Sequence, residues 1–323
     1  MLYPIQFKPI FSERIWGGRT LIEKRGTARQ KADKNLVVGE SWEVSGVEGD
    51  VSVIVNGFLK GNDLQEAVEV YMGELVGDKV FQRFGEEFPL LIKYIDAQDK
   101  LSVQVHPDDA LAARRHNSYG KTEMWYILDC EPGAELLIGL KEGTTKEQYI
   151  RAVEEGTVGG LLNAVTVKPG DTYFIPAGTV HAIGAGVLIV EIQQTSDATY
   201  RVFDWNRTDK EGNPRELHTE LALDAIDFAA PVRNVTQHPP KGAAALLVEC
   251  PYFTTNLVDV DGRMQRELNG RDSFTIYICT GGEMTLTAPG GAIKLGKDDI
   301  VLIPADQDNV VLEGCGQLLE TYM

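Results

Sequence analysis

Residues 101–109 have the sequence Leu-Ser-Val-Gln-Val-His-Pro-Asp-Asp, and apolar residues alternate with polar ones over the first six positions. This period of two predicts a half-buried strand with one aliphatic face. The other face carries Ser102, Gln104 and His106. Gln104 and His106 are two residues apart, so their side chains point the same way, about 7 Å apart along the strand. A rigid strand that presents an amide and an imidazole together supplies half of a metal site.

The composition is that of an ordinary globular protein. The chain has 323 residues, of which 43% are hydrophobic and 24% charged, enough for a large core in one or two domains. The formal net charge of −17 argues against nucleic acid and anionic membrane as partners, because both require a basic surface. If the substrate is an anion, a local group of arginine and lysine side chains must overcome this overall field.

The cysteine pattern and the absence of long apolar runs predict a cytoplasmic protein. The chain has four widely separated cysteines: Cys130, Cys250, Cys279 and Cys315. They form no C-x-x-C pair, which predicts buried, reduced thiols rather than a disulfide framework. No run approaches the roughly 20 apolar residues of a membrane span, and residues 1–4 do not open a signal-peptide pattern.

Short apolar runs separated by glycine turns recur along the chain. We predict strands at 88–97, 123–128, 134–140, 165–167, 172–175 and 187–193, and again at 252–258, 274–279, 284–288, 300–303 and 310–312. We predict helices at 63–75, 110–116, 144–153 and 217–228. Candidate helix caps are Asp63 or Asn62 for the first helix, and Thr144 or Thr145 for the third.

A weak internal repeat indicates two related β-domains. Residues 170–177 resemble residues 297–305 after a shift of 128 positions. Many short, evenly spaced strands that repeat in this way predict a mainly β fold of two cupin-type jelly-roll β-barrels with a small helical insertion. The same shift carries His181 onto Asn309, so the second copy lacks the chemistry that the histidine supplies.

The linker Pro239-Pro240 sets the expected domain boundary. We predict an N-terminal barrel over residues 1–238, which carries the metal and catalytic site. Residues 239–323 are expected to form a degenerate cupin-like barrel without metal ligands, whose role is to support the first by packing.

A second motif supplies the missing half of the metal site. Gly170, Pro176, Gly178 and His181 are spaced as in the second motif of the cupin superfamily, except that Ala185 stands where an asparagine is usual. Cupins take their metal ligands from a histidine, a glutamate on the next strand and a histidine in this motif.

Four residues therefore form the candidate ligand set: Gln104, His106, Glu123 and His181. One amide, two imidazoles and one carboxylate suit Zn²⁺, with Mn²⁺ or Fe²⁺ as alternatives, and leave a position open for water or substrate. Each of these residues alone has an ordinary structural explanation. Their joint occurrence in the spacing of one superfamily favours the metal site. His116, His218 and His238 lie outside the pattern, and we expect them at the surface or at helix ends.

Longer runs resemble the short bacterial branch of the type I mannose-6-phosphate (phosphomannose) isomerase family. The similar runs are residues 16–18, 39–43, 89–93, 101–107, 121–123 and 193–207. The most specific are Leu-Ser-Val-Gln-Val-His-Pro at 101–107 and Ser-Asp-Ala-Thr-Tyr-Arg-Val-Phe-Asp-Trp-Asn-Arg at 196–207. The resemblance implies zinc on the four candidate ligands and an essential arginine at Arg201.

The resemblance also implies a reaction and a substrate, namely the interconversion of mannose 6-phosphate and fructose 6-phosphate through an enediol. Arg201 would stabilise negative charge near the reacting oxygens. Lys121 would share the inward face of Glu123 and is one acid/base candidate, since a nearby cation lowers a lysine pKa. Asp197 is the other acid/base candidate. Ser102 and Arg207 would contact the phosphate.

The chain departs from the family pattern at two places, and two alternative functions remain open. Longer family members have a histidine where this chain has Gly120, and an Arg-Ala-Gly-x-Thr-Pro-Lys run where it has residues 201–207. A cupin Fe²⁺-dependent oxygenase would use the same ligands, but favours three histidines and an apolar pocket. A sugar-phosphate-binding cupin without turnover is the other alternative. We expect a monomer or a weak homo-oligomer.

Overall fold

The computed structural model describes residues 1–208 and 212–323. Its strands in chain order are β1 (Ile10–Ser12), β2 (Glu40–Val44), β3 (Leu90–Ala97), β4 (Val103–Val105), β5 (Glu123–Cys130), β6 (Glu135–Leu140), β7 (Leu162–Thr166), β8 (Thr172–Ile175), β9 (His181–Ile183), β10 (Val187–Gln194), β11 (Tyr200–Phe203), β12 (Arg233–Asn234), β13 (Ala244–Glu249), β14 (Thr254–Glu267), β15 (Thr275–Ala288), β16 (Gly291–Gly296), β17 (Ile300–Ile303) and β18 (Asn309–Tyr322).

The helices are fewer and mostly short. They are α1 (Thr20–Arg25), α2 (Ala28–Ala32), α3 (Leu64–Val76), α4 (Asp78–Phe84), α5 (Asp109–His116), α6 (Lys146–Glu154) and α7 (Thr219–Leu223), with a 3-10 helix at Val158–Leu161. Over the described ranges, none of these helices has the length and apolar character needed to cross a membrane.

The strands form three sheets. A seven-stranded sheet has the order β1-β2-β3-β10-β5-β8-β12, and a five-stranded sheet has the order β11-β4-β9-β6-β7. The six-stranded sheet has the order β13-β14-β18-β15-β16, with β17 paired to β15. The prediction of a mainly β fold is confirmed.

The chain divides into two compact units. The first unit comprises residues 11–42 and 92–234, and the second comprises residues 1–10, 43–91 and 235–323. The predicted boundary at residue 238 lies close to the start of the last segment, but two earlier segments also group with that segment. The first of them is tied by backbone hydrogen bonds in both directions between Ile5 and Leu302, at 2.8 and 2.9 Å.

The two sheets of the first unit face each other across a shared apolar core. Trp125 and Tyr173 from the seven-stranded sheet belong to the same buried cluster as Ile138 and Ile183 from the five-stranded sheet. Such facing antiparallel sheets are consistent with the predicted jelly roll. In the second unit, Val260, Tyr277 and other apolar side chains of the six-stranded sheet form a separate core.

Side-chain caps explain where three helices begin, and two of these caps were among the predicted candidates. Asp63 caps α3 and accepts a hydrogen bond from the Glu66 amide, and Thr145 caps α6 in the same way through Gln148. Asp108 caps α5, so the preceding proline lies just outside the first turn. The helix predicted at 217–228 was too long, because only Thr219–Leu223 is helical.

The four cysteines are free thiols, but their burial differs from the prediction. Cys279 is buried, and Cys130 and Cys250 are partly buried. Cys315 is exposed, so the expectation of a buried thiol is wrong at that position. Cys315 faces solvent because it lies on the strongly alternating part of β18.

Candidate metal centre

Three neighbouring strands of the five-stranded sheet align polar residues in one row. Arg201 on β11 is directly opposite Gln104 on β4, and Gln104 is directly opposite His181 on β9. Directly opposite residues of antiparallel strands point their side chains to the same face. The register therefore brings a guanidinium, an amide and an imidazole together, as the alternation in residues 101–106 predicted for Gln104.

The facing sheet supplies the carboxylate. Glu123 is the first residue of β5, between Gln193 on β10 and Ile175 on β8. His106 follows β4 immediately, and its imidazole ring centre lies 4.9 Å from that of His181. The four predicted ligands thus come from two facing sheets and meet in the interior of the first unit.

The distances are those of a compact donor cluster. The His181 Nε2 lies 3.4 Å from Glu123 Oε1, and the His106 Nε2 lies 3.6 Å from Glu123 Oε2. One donor atom from each of these three residues lies within 4.8 Å of the others, and all three side chains are buried. The Gln104 Nε2 is 3.3 Å from the His181 Nε2. A 180° rotation of the Gln104 amide would turn its oxygen toward the same point.

Backbone carbonyls fix the protonation of both imidazoles. The His106 Nδ1 lies 2.9 Å from the Ala198 carbonyl oxygen, and the His181 Nδ1 lies 2.8 Å from that of Thr179. A carbonyl oxygen only accepts, so each Nδ1 carries the proton and each Nε2 presents a lone pair. This is the tautomer that a metal ligand needs.

The cluster contains buried polar atoms without partners. His106 Nε2 and both carboxylate oxygens of Glu123 have no hydrogen-bond partner in the part of the chain that the structure describes. Buried polar atoms are normally paired, because leaving one unsatisfied costs about 1–3 kcal/mol. Lone pairs that converge without a donor between them fit a cation at their centre.

Burial dominates the electrostatics of the cluster. Burial raises the pKa of Glu123 to about 8, with the nearby Glu191 charge adding to the effect. Burial lowers the pKa of His181 to about 4 and that of His106 well below its usual value. Both imidazoles are therefore neutral at pH 7, as metal ligands must be. A divalent cation would supply the positive charge that stabilises the Glu123 carboxylate.

Lys121 and Arg201 border the cluster. The Lys121 Nζ is buried and lies 3.6 Å from Glu123 Oε2. The Arg201 Nη1 donates to the Glu216 carbonyl oxygen at 2.9 Å, while its buried Nε has no partner among the described residues. Burial lowers the pKa of Arg201, and the positive charge of Arg215 lowers it further. Within residues 1–208 and 212–323, no carboxylate forms an ion pair with this guanidinium.

The remaining predicted site residues differ in their surroundings. Ser102 is buried just before β4. The Arg207 guanidinium binds Asp204 Oδ1 at 2.6 Å and Asp99 Oδ2 at 3.2 Å. Asp197 is exposed, and its carboxylate has no partner among the residues described. The structure therefore brings Lys121 to the cluster but gives no contact between Asp197 and the cluster.

The other histidines lie away from the cluster, as predicted. His116 ends α5, where its Nε2 is 2.8 Å from the Tyr200 hydroxyl. His218 precedes α7 and accepts a hydrogen bond from the Arg201 amide. His238 is exposed.

A buried row of charges behind the cluster was missed in the sequence. The Lys93 Nζ on β3 lies 2.9 Å from Glu191 Oε1 on β10 and 3.9 Å from Glu40 Oε2 on β2. The other Glu191 oxygen accepts from the Trp125 indole at 2.8 Å, and that indole packs edge-on against the His181 ring. The available signal was a single charge inside an otherwise apolar strand, at Lys93 in Leu-Leu-Ile-Lys-Tyr-Ile and at Glu191 in Val-Leu-Ile-Val-Glu-Ile.

The surroundings of Arg207 also contain an arginine that was not predicted. The Arg215 Nε and Nη2 both bind Asp204, each at 2.6 Å. Asp204 thereby joins Arg215 to Arg207. The sequence between these two arginines is polar and shows no strand or helix period that would connect the two positions.

Comparisons with known proteins show the family and agree with the fold. Residues 5–149 match the family model "Phosphomannose isomerase type I, catalytic domain", and residues 244–323 match "Mannose-6-phosphate isomerase, cupin domain". The chain is 37% identical over 327 residues to mannose-6-phosphate isomerase ManA of Bacillus subtilis, with 99% of both chains covered.

Two further relatives support this result. A mannose-6-phosphate isomerase of Streptococcus mutans is 34% identical over 305 residues, which cover 94% of this chain and 93% of the relative. The crystal structure of the mannose 6-phosphate isomerase from Bacillus subtilis superposes with a TM-score of 0.87 at 33% identity, covering 99% of each chain. The chain therefore belongs to the type I phosphomannose isomerase family.

Proposed function

We propose that this protein interconverts mannose 6-phosphate and fructose 6-phosphate, with one divalent cation per chain bound by Gln104, His106, Glu123 and His181. The observation that carries the proposal is the buried convergence of two imidazole Nε2 atoms on both oxygens of Glu123, at 3.4 and 3.6 Å. Those oxygens have no hydrogen-bond partner in the described chain. Family membership supplies the substrate.

We assign Zn²⁺ to the site, in preference to Mn²⁺ or Fe²⁺. Two neutral imidazoles, a carboxylate and an amide form a mixed nitrogen and oxygen donor set that suits zinc, and no thiolate is among the donors. When bound, the cation would act as a Lewis acid that holds and polarises adjacent sugar oxygens.

Proton transfer between C2 and C1 requires an acid/base group, and we assign Lys121 to this role. Its buried ammonium lies beside Glu123, and lysine is among the side chains that serve as general acids and bases. Asp197 is the second candidate. It is exposed, and it directly precedes Ala198, whose carbonyl orients His106.

Arg201 is assigned to stabilise the negative charge that develops on the enediol oxygens. Its cross-strand position beside Gln104 supports this role, as does its Nε, which has no partner among the described residues. No carboxylate of the described residues forms an ion pair with this guanidinium, which therefore keeps its hydrogen-bonding capacity for substrate.

The phosphate is assigned to Ser102 and Arg207, with Arg215 as a neighbouring cation. Arg207 and Arg215 share the buried carboxylate of Asp204, and Arg207 also binds the carboxylate of Asp99. These two guanidinium groups are the local cations that the net charge of −17 requires at a site for an anion. Binding the phosphate away from the reacting carbons orients the sugar.

We assign catalysis to the first unit and a supporting role to the cupin sheet of the C-terminal region. The six-stranded sheet carries Asn309 at the position that the 128-residue shift relates to His181. Its interior holds a different kind of polar cluster, in which the buried carboxylate of Glu320 binds Arg266, Arg271 and Tyr277.

Metal analysis combined with a coupled assay on mannose 6-phosphate tests the proposed function. Stoichiometric zinc with turnover supports the isomerase. Iron with oxygen uptake would instead identify a cupin oxygenase, and tight sugar-phosphate binding without turnover a non-catalytic binding protein. Either of these results would overturn the proposal.

A further inference from the structure

The segment Gly120–Thr122, which presents Lys121, is held by two side chains that lie outside the ligand cluster. Asp109 Oδ1 accepts hydrogen bonds from the Gly120 amide and from the Gln194 Nε2, both at 2.9 Å. The Gln194 Oε1 accepts from the Thr122 amide, also at 2.9 Å. We call this arrangement the Asp109–Gln194 clamp.

Main-chain bonds complete the clamp. The Lys121 amide donates to the Pro107 carbonyl oxygen at 3.0 Å, and the Gln194 amide donates to the Thr122 carbonyl oxygen at 3.2 Å. All three consecutive amides from Gly120 to Thr122 therefore have a defined acceptor. Two of these three acceptors are side-chain atoms of the Asp109–Gln194 clamp.

Gly120 allows the segment to lie directly against the start of α5. A Cβ at this position would be 2.5 Å from the Asp109 nitrogen and 2.6 Å from the Asp108 carbonyl carbon. Backbone atoms cannot yield to such a contact as a flexible side chain can. The close approach accounts for glycine at the position where longer family members have a histidine.

We propose that Gln194 and Asp109 are positioning residues that hold Lys121 where it can transfer the substrate proton. This inference rests on the proposed function, in which Lys121 is the acid/base group. Lys121, Thr122 and Gln194 are 5%, 4% and 5% exposed, so water has little access to replace a lost clamp bond. A displacement of about 1 Å in a catalytic group can cost on the order of 100-fold in rate.

The Gln194→Met enzyme tests the proposal, because methionine matches the length of glutamine without its hydrogen bonds. With zinc loaded, we expect kcat to fall by roughly 10- to 100-fold and KM to stay within about threefold. Zinc stoichiometry should remain one per chain. In metal-free protein, amide hydrogen exchange at residues 120–122 should accelerate by about tenfold or more.

The Asp108→Ala variant is the matched control at the same helix start. Asp108 caps α5 by accepting from the Leu111 amide, so its loss weakens the helix but leaves the Asp109–Gln194 clamp intact. We expect a lower Tm with unchanged kcat and unchanged exchange at residues 120–122.

A pair of Asp109 variants gives a second test that does not depend on the folding of Gln194→Met. Asp109→Asn keeps an Oδ1 that can accept from both the Gly120 amide and the Gln194 Nε2 and should keep kcat, whereas Asp109→Leu removes both hydrogen bonds and should lower kcat. Wild-type kcat in Gln194→Met or in Asp109→Leu, or a loss of kcat in Asp109→Asn as large as that in Asp109→Leu, would overturn the positioning role alone. Wild-type kcat in Lys121→Met would also overturn the assignment of Lys121 under the proposed function.

Discussion

The Lys93 ammonium lies 2.9 Å from Glu191 Oε1, and both side chains are buried in the sheet that presents Glu123. Burial works against both charges, but their mutual attraction outweighs it. The pKa of Lys93 is raised and the pKa of Glu191 is lowered. The pair is thus ionised, and its charges are fixed directly behind the candidate metal centre.

Lys93→Met should destabilise the protein by about 3–5 kcal/mol, because it leaves Glu191 charged and buried without its partner. Adding Glu191→Gln should recover part of the loss, with a coupling energy of about 0.5–3 kcal/mol. Urea unfolding of the single and double variants measures both the loss of stability and the coupling energy. Lys79→Met removes an ion pair of an exposed lysine with Asp272 and should cost about 1 kcal/mol or less. Additive effects of the two buried substitutions would contradict the coupling.

His181→Ala should abolish both metal binding and activity. Removal of a residue that only hydrogen-bonds to a metal ligand lowers metal affinity by about 10- to 100-fold. Removal of a ligand itself should lower the affinity further. Metal analysis after dialysis and the coupled assay give the two readouts. His238→Ala, at an exposed histidine, should retain both properties. Retention of one tightly bound metal in His181→Ala would refute the ligand assignment.

Arg201→Ala should lower kcat by about 100- to 1,000-fold, as removal of a charge-stabilising donor does in other enzymes. Metal content should stay at the wild-type level, because Arg201 is beside the ligands but is not one of them. Arg151→Ala, at an exposed position on α6, is the control and should behave as wild type. Metal loss in Arg201→Ala would show that this arginine supports the centre itself.

Gly120→Ala should destabilise the protein by about 1–3 kcal/mol, the usual cost of forcing an extra methyl group into a packed region. The new Cβ would lie 2.5 Å from a backbone nitrogen, so the segment must move. Gly160→Ala is the control, since a Cβ there meets no atom within 4 Å. Thermal unfolding compares the two variants. Equal stability would mean that the segment can withdraw from α5 without cost.

Glu320→Gln should remove a pH-dependent contribution to stability in the second unit. Burial would raise the pKa of Glu320, but Arg266 and Arg271 outweigh it and lower the pKa to about 2. Because the pKa of Glu320 is lower in the folded protein than its ordinary value of 4.5, the ionised carboxylate stabilises the folded state above pH 4.5. This stabilisation is lost as the pH falls toward 2. The free energy of unfolding should therefore differ between wild type and variant by about 3 kcal/mol at pH 7, with the difference shrinking below pH 4.5.

Glu313→Gln is the matched control for this titration. Glu313 lies on the same strand, β18, and its ion pair with Arg263 is more than half exposed. We expect a small effect on the free energy of unfolding at every pH. A Glu320→Gln difference that stays constant between pH 7 and pH 3 would contradict the lowered pKa.

The convergence of the candidate ligands was predictable because strand periodicity and motif spacing determine the direction of their side chains. Gln104 and His106 share a face by alternation, and His181 follows a recognisable turn. The row of Lys93 and Glu191 was not predictable in the same way. Both strands are buried on both faces, so alternation carries no information, and the pairing depends on β3 lying next to β10.

The sequence pattern also could not predict the unit boundaries or the environment of Asp197. Grouping of residues 1–10 and 43–91 with the C-terminal segment depends on contacts hundreds of positions apart. Asp197 lies in an irregular connection between β10 and β11, where neither spacing nor polarity indicates which way a carboxylate points. The extent of α7 was overestimated because the apolar spacing after Leu223 comes from irregular chain that also packs inward.

The acceptors that orient the two imidazoles are main-chain oxygens, at Ala198 and Thr179. Every amino acid has such an oxygen, so no single exchange at either position can delete it. Substitutions can therefore change the side chains at these two positions without changing the tautomer of either histidine. Only a change that shifts the backbone itself, such as an insertion in either turn, would release the rings.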